Sequence, residues 1–82
     1  MERERAIKIV QKEGLINYNF FEKRNNKENE VVILVQSDRW IVYATDERAS
    51  KITNSVDEYT TECEALDDFI DRLRADKILR EL

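Results

Sequence analysis

Two apolar runs, Val31–Val35 and Trp40–Ala44, flank four polar residues, Gln36-Ser37-Asp38-Arg39. Both runs are rich in β-branched and aromatic residues, which suit a pleated surface, and the polar interruption reads as a tight turn. A two-residue loop at Ser37-Asp38 sets Val35 opposite Trp40, Ile33 opposite Val42 and Val31 opposite Ala44. One face of this hairpin is then apolar throughout (Val31, Ile33, Val35, Trp40, Val42, Ala44) and is the expected core. The other face is apolar only in its middle, at Val32, Leu34, Ile41 and Tyr43.

The flanking segments follow a different period. Residues 2–13 place Ala6, Ile9 and Val10 on one helical face, with Ile7 at its edge, and Gly14 stands where a left-handed cap ends a helix. Residues 17–23 read as a first strand in which Tyr18 and Phe20 share a face and Phe21 points the other way. Arg24–Asn29 contains no apolar residue and reads as a surface loop. After a turn at 46–50, residues 51–59 form a weaker strand with Ile52 and Val56 on one face. Thr61 and Glu64 have capping-box spacing. The helix they open carries Leu66, Phe69, Ile70 and Leu73 as its core stripe. The expected fold class is α+β, in the order α-β-β-β-β-α: an antiparallel meander sheet flanked by two helices, both on one sheet face. Residues 1–82 form a single domain, since 82 residues are just enough for one core.

Ile78, Leu79 and Leu82 fall roughly opposite the core stripe, so one straight helix does not bury both sets. With Val32, Leu34, Ile41 and Tyr43 on the sheet face away from the helices, they form a candidate dimer or second contact patch. The competing expectations are a frayed last turn and cover of the open face by the 24–29 loop.

Composition narrows the chemistry. There is no histidine, and Cys63 is the only cysteine, read as a small half-buried helix residue. Internal disulfides, zinc sites and histidine-based triads are therefore excluded, and no catalytic residue, metal ligand or cofactor is assigned. No apolar run approaches the ~20 residues of a membrane span, and the charged start MERERAIKIV is unlike a secretory signal. The expected location is cytoplasmic.

Charge changes the picture more. The net value of −4 conceals a block over residues 57–71 with no base and seven acids: Asp57, Glu58, Glu62, Glu64, Asp67, Asp68 and Asp71. On a helix, Glu64, Asp68 and Asp71 project together with Asp67 beside them. Glu64/Asp68 and Asp67/Asp71 are like-charge pairs at i,i+4, each unfavourable by ~0.2–0.5 kcal/mol. Acids early in a helix and bases late in it also favour the macrodipole, so a solvated face and a binding face both remain open. A double-stranded-RNA-binding domain has a similar element order but needs bases at the start of its second helix, where this chain has acids. Nucleic acid is therefore not an expected partner, whereas a basic protein surface is.

The phrases IVQKEGLINYNF, EVVILVQSDRWIVYATDERAS and ALDDFIDRLRADK together resemble small bacterial immunity proteins of polymorphic toxin systems, most of all the immunity protein 59 family. The resemblance spans nearly the whole chain and includes the W-x-V-Y-x-T-D-E-R phrase, Trp40–Arg48. It implies an α+β protein that binds and neutralises a cognate toxin without identifying that toxin; the acidic helix, read separately, would suit a basic surface such as a nuclease groove. It carries over no binding residue. From the residues themselves, the candidate partner contacts are Asp46 and Glu47, in the turn after the second hairpin strand, and Glu64, Asp67, Asp68 and Asp71. The alternative is a small homo-oligomeric structural or regulatory domain; monomer and homodimer are both left open.

Overall fold

The hairpin forms with the expected register. In the computed structural model, which describes all of residues 1–82, strand β2 (Val31–Gln36) pairs antiparallel with β3 (Arg39–Ala44), setting Val35 against Trp40, Ile33 against Val42 and Val31 against Ala44. Of the two loop residues, only Ser37 takes a positive φ, 60°, the local concession that lets a two-residue turn follow the strand twist.

Before the hairpin come helix α1 (Arg3–Glu13) and strand β1 (Tyr18–Phe20); after it come a 3-10 turn at Thr53–Ser55, strand β4 (Asp57–Tyr59) and helix α2 (Glu62–Arg80). The sheet order is β1-β2-β3-β4, and the chain follows the expected α-β-β-β-β-α path. The sheet is mixed, however, because β1 runs parallel to β2 with Tyr18 beside Val31. The cause lies directly after Phe20. Asn19 is buried and closes a reciprocal turn, its Nδ2 donating to the Glu22 carbonyl and its Oδ1 accepting from the Glu22 amide at 2.8 Å. Residues 21–30 then return the chain to the starting end of β1, so β2 sets off in the same direction.

That turn also corrects Phe21. Its φ of 61° breaks the strand alternation. Its ring therefore lies against Phe20, centroids 4.8 Å apart and nearly perpendicular, with the Arg3 guanidinium 3.7 Å from the ring centre. Such contacts offset a left-handed conformation that costs an ordinary residue ~1–2 kcal/mol.

Both helices cover the same sheet face. Ala6 and Val10 of α1, Val31, Ile33 and Val42 of the hairpin, and Ala65, Leu66, Phe69, Ile70 and Leu73 of α2 form one buried cluster, with Tyr18, Phe20 and Trp40 packed at its edge. The α1 stop is as expected: Gly14 has φ 64°, and the Gly14 and Leu15 amides both donate to the Val10 carbonyl, folding Leu15 into the core. At the start of α2, Thr61 Oγ1 accepts from the Glu64 amide at 3.3 Å. The Glu64 carboxylate reaches back to the Thr61 hydroxyl, at 2.8 Å. Val35 departs from the expected core, being 49% exposed where the hairpin outruns its neighbours.

The opposite sheet face is not open. Val32, Ile41 and Tyr43 are buried, with Leu34 and Val56 packed against them. Two irregular segments provide the cover. One is the 24–29 loop. The other is the 51–56 segment, expected as a strand: only Lys51 bridges to Thr45 before the chain enters the 3-10 turn. Ser55 explains the departure, since its hydroxyl accepts from the Ala44 amide and donates to the Ile52 carbonyl, replacing ladder bonds with a turn.

Candidate functional site

The largest depression is an open groove of about 830 Å³ between the 15–18 segment, the 24–30 loop and the 46–49 turn. At its base lies the Arg24–Glu30 pair. Glu30 is buried, and Arg24 grips it with two bonds, 2.7 Å to Oε1 and 3.0 Å to Oε2, while the Lys27 amide donates to Oε2 at 2.9 Å. Arg24 also donates to the Tyr18 and Asn25 carbonyls and to Glu22. Burial alone would raise the Glu30 carboxyl. The Arg24 hydrogen bond, the Lys27 amide and the two nearby cationic side chains outweigh it and hold the group below the ordinary 4.5. Thr45, also buried, continues the network: its hydroxyl accepts from the Glu30 amide and donates to the Lys27 carbonyl. The groove floor is thus an internal brace that fastens the 24–30 loop to the sheet. Sequence reading missed it because five residues of loop separate the partners. The signal was a lone glutamate opening an apolar strand.

Asp46, beside this groove, is occupied by its own turn: its Oδ1 accepts from the Arg48 amide at 2.8 Å and the Ser50 amide at 3.0 Å. Glu47 is exposed at the tip of the same turn. Two of the candidate contacts therefore lie at one end of the sheet, away from the α2 acids.

The acidic block is rearranged by the fold. Asp68 is not free: it accepts the Tyr59 hydroxyl at 2.6 Å and Arg72 Nε at 3.0 Å, and Arg72 also holds Asp57 at 2.7 Å. The hydrogen bond to Asp68, then burial, then the Asp68 and Asp57 charges push the Tyr59 hydroxyl up to about 12. Glu62 Oε1 accepts from Nε and Nη2 of Arg3, at 3.0 and 2.8 Å, and from the Trp40 indole at 3.1 Å. The Arg3 bond leads in holding its carboxyl below the ordinary value. Arg3, far away in sequence, and Arg72, at the block's own edge, thus neutralise part of the block. Asp68, expected on the contact face with Glu64 and Asp71, belongs instead to a bridge between β4 and α2.

What remains exposed on α2 is Glu64, Asp67 and Asp71, none of them in an ion pair. Asp67 borders a shallow cleft with Met1, Arg5 and Lys8 on the α1 side. Cys63 is exposed rather than half-buried, its Sγ accepting from the Met1 ammonium at 2.7 Å. At the far end of α2, Ile78 is 63% exposed, Leu79 69% and Leu82 95%. The helix runs to Arg80 with α1 clamped to it: the Glu13 carboxylate accepts from Nε and Nη2 of Arg74, at 2.9 and 2.6 Å, and the Glu13 carbonyl accepts from Lys77 Nζ. Of the expected apolar patch, this end is therefore on the surface, whereas Val32, Ile41 and Tyr43 are covered.

No helix is long and apolar enough to cross a membrane, and no group of three or more acidic or cysteine side chains is placed to hold a metal ion. Fold and surface together define a small two-layer α+β protein whose outward chemistry is ionic, with one aliphatic helix end. The chain belongs to the immunity protein 59 family, whose model matches residues 2–81. No curated protein and no solved structure matches it.

Proposed function

We propose that this chain neutralises a cognate protein toxin by binding it, acting in the cytoplasm without chemistry of its own. Membership of an immunity protein family over residues 2–81 is the observation that carries the reading. The surface is compatible with it: Glu64, Asp67 and Asp71 stand on α2 without ion-pair partners, and such a face speeds encounter with a basic surface. The substrate groove of a nuclease is a surface of that sign. Asp46 has a local structural role, and Asp68 is held within the fold, so neither leads the contact; Glu47 is a peripheral candidate.

Co-expression with the product of the adjacent open reading frame tests the proposal. The expected result is rescue of growth and co-purification of the two chains. Continued growth arrest, with no complex recovered, would refute it.

A further inference from the structure

The exposed face of α2 is a single stripe that changes character along its length. Glu64, Asp67, Asp71, Ala75 and Ile78 follow one another in steps of three and four, which places them on one side of the helix, and Leu82 lies two residues past its end. That side lies opposite the buried Leu66, Phe69 and Leu73. Its first half is carboxylate and its last turns are aliphatic, with Leu79 alongside. The clamp from Glu13 to Arg74 and Lys77 holds this display in helical form beyond the last buried residue, so little ordering entropy is lost on docking.

The charge pattern decides what covers the face. Every base on α2 is engaged: Arg72 with Asp57 and Asp68, Arg74 with Glu13, Lys77 with the Glu13 carbonyl and Arg80 with Asp76. The stripe itself contains no base. A second copy packed antiparallel would lay Glu64 and Asp67 against leucine and isoleucine, and a parallel one would set carboxylates against carboxylates. Both bury unpaired charge, which costs several kcal/mol. Three aliphatic side chains alone also fall short of the ~600 Å² per partner that a stable interface needs.

From this, and resting on the toxin-binding reading above, we propose that the whole outer face of α2 is one footprint for a different protein. That partner carries a basic surface bordering an apolar depression. Ile78, Leu79 and Leu82 fill the depression and set the residence time. Glu64, Asp67 and Asp71 meet the bases and set the encounter rate.

The test measures association and dissociation of the full chain with the co-encoded protein, for the wild type, I78A/L79A/L82A and E64Q/D67N/D71N. The aliphatic variant should dissociate about 100-fold faster with little change in association. The neutralised variant should associate about tenfold more slowly at low salt and lose most of its salt dependence. Sedimentation of the wild type alone should show a monomer. A wild type that binds and rescues growth, with both variants within twofold of it, would overturn the footprint while leaving the toxin-binding reading standing. A wild-type dimer that I78A/L79A/L82A dissolves would overturn it in favour of self-association. A wild type that neither binds nor rescues would remove the toxin-binding reading and the footprint together. Circular dichroism guards the interpretation, since all six positions are exposed and the helix should be unchanged.

Discussion

The two faces of the sheet are both buried, but by different means. The face toward α1 and α2 is closed by aliphatic and aromatic side chains: Phe69 meets Tyr18 edge-on at 6.1 Å, and Leu66, Ile70 and Leu73 fill the space around Ile33 and Val42. The face away from them is closed by irregular chain fastened through polar groups. Tyr43 donates to Asn26 at 2.7 Å, Thr45 bonds Lys27 and Glu30, Ser55 bonds Ala44, and Arg24 grips Glu30. Apolar cover depends on periodicity, which local sequence displays. Polar cover depends on pairs of residues that only the folded chain brings together.

The largest effect is expected on the helix-covered face. Phe69→Ala removes a fully buried ring and should cost about 3–5 kcal/mol, measured by denaturant unfolding. For a domain of this size that is enough to abolish most of its stability. A loss under 1 kcal/mol would mean that the helices are loosely seated.

Next comes the brace on the other face. Glu30→Gln leaves Arg24 with only the exposed Glu22 as a charge partner and should cost about 1–3 kcal/mol, lowering the melting temperature by roughly 5–20 °C. The pH dependence has a defined sign. Glu30, Glu13 and Glu62 all have folded carboxyls held below the ordinary 4.5, so the unfolded chain takes up protons first. Their stabilisation is present above about pH 4.5 and is lost as pH falls through the depressed folded values. Glu30→Gln should flatten the acid limb of stability against pH, and an unaltered limb would show that the brace is not coupled to folding.

The smallest expected effect is at Tyr59. Its folded value is raised to about 12 against an ordinary 10.0, so ionisation opposes the folded state. Its stabilisation is complete below pH 10 and is lost as pH rises through about 12. Near-ultraviolet titration should show Tyr59 and the buried Tyr43 ionising late, and Asp68→Asn should move the Tyr59 component alone toward the ordinary range. No movement would detach Tyr59 from the β4–α2 bridge.

The contrast between the faces also explains what sequence reading could reach. The hairpin register, the Gly14 stop, the Thr61 cap and the α2 core stripe were legible because each follows from a period or from residues within four positions. The parallel setting of β1 was not, since it hinges on the Asn19–Glu22 turn and the left-handed Phe21. The apolar middle of the second face, Val32, Ile41 and Tyr43, left two readings open, and cover by the 24–29 loop is the one realised; the share taken by the 51–56 segment was not legible because that cover has no period. The acidic block read as seven acids with no base among them; Arg72, just past its end, pairs with Asp57 and Asp68, and Arg3, which only the fold brings near, pairs with Glu62. Cys63 looked half-buried by position, but it lies on the exposed side of the α2 start. The exposed aliphatic end of α2 was legible, because Ile78, Leu79 and Leu82 are out of phase with the core stripe.

The central claim is that the partner meets the outer face of α2 rather than the loop-covered face of the sheet. Nuclear magnetic resonance of the methyl groups, free and in complex with the co-encoded protein, compares the two surfaces in one experiment. The largest shift changes are expected at Ile78, Leu79 and Leu82, with Leu34 and Ile52 unmoved. Changes confined to Leu34 and Ile52, with Ile78, Leu79 and Leu82 unmoved, would contradict it and place the partner on the polar-fastened face.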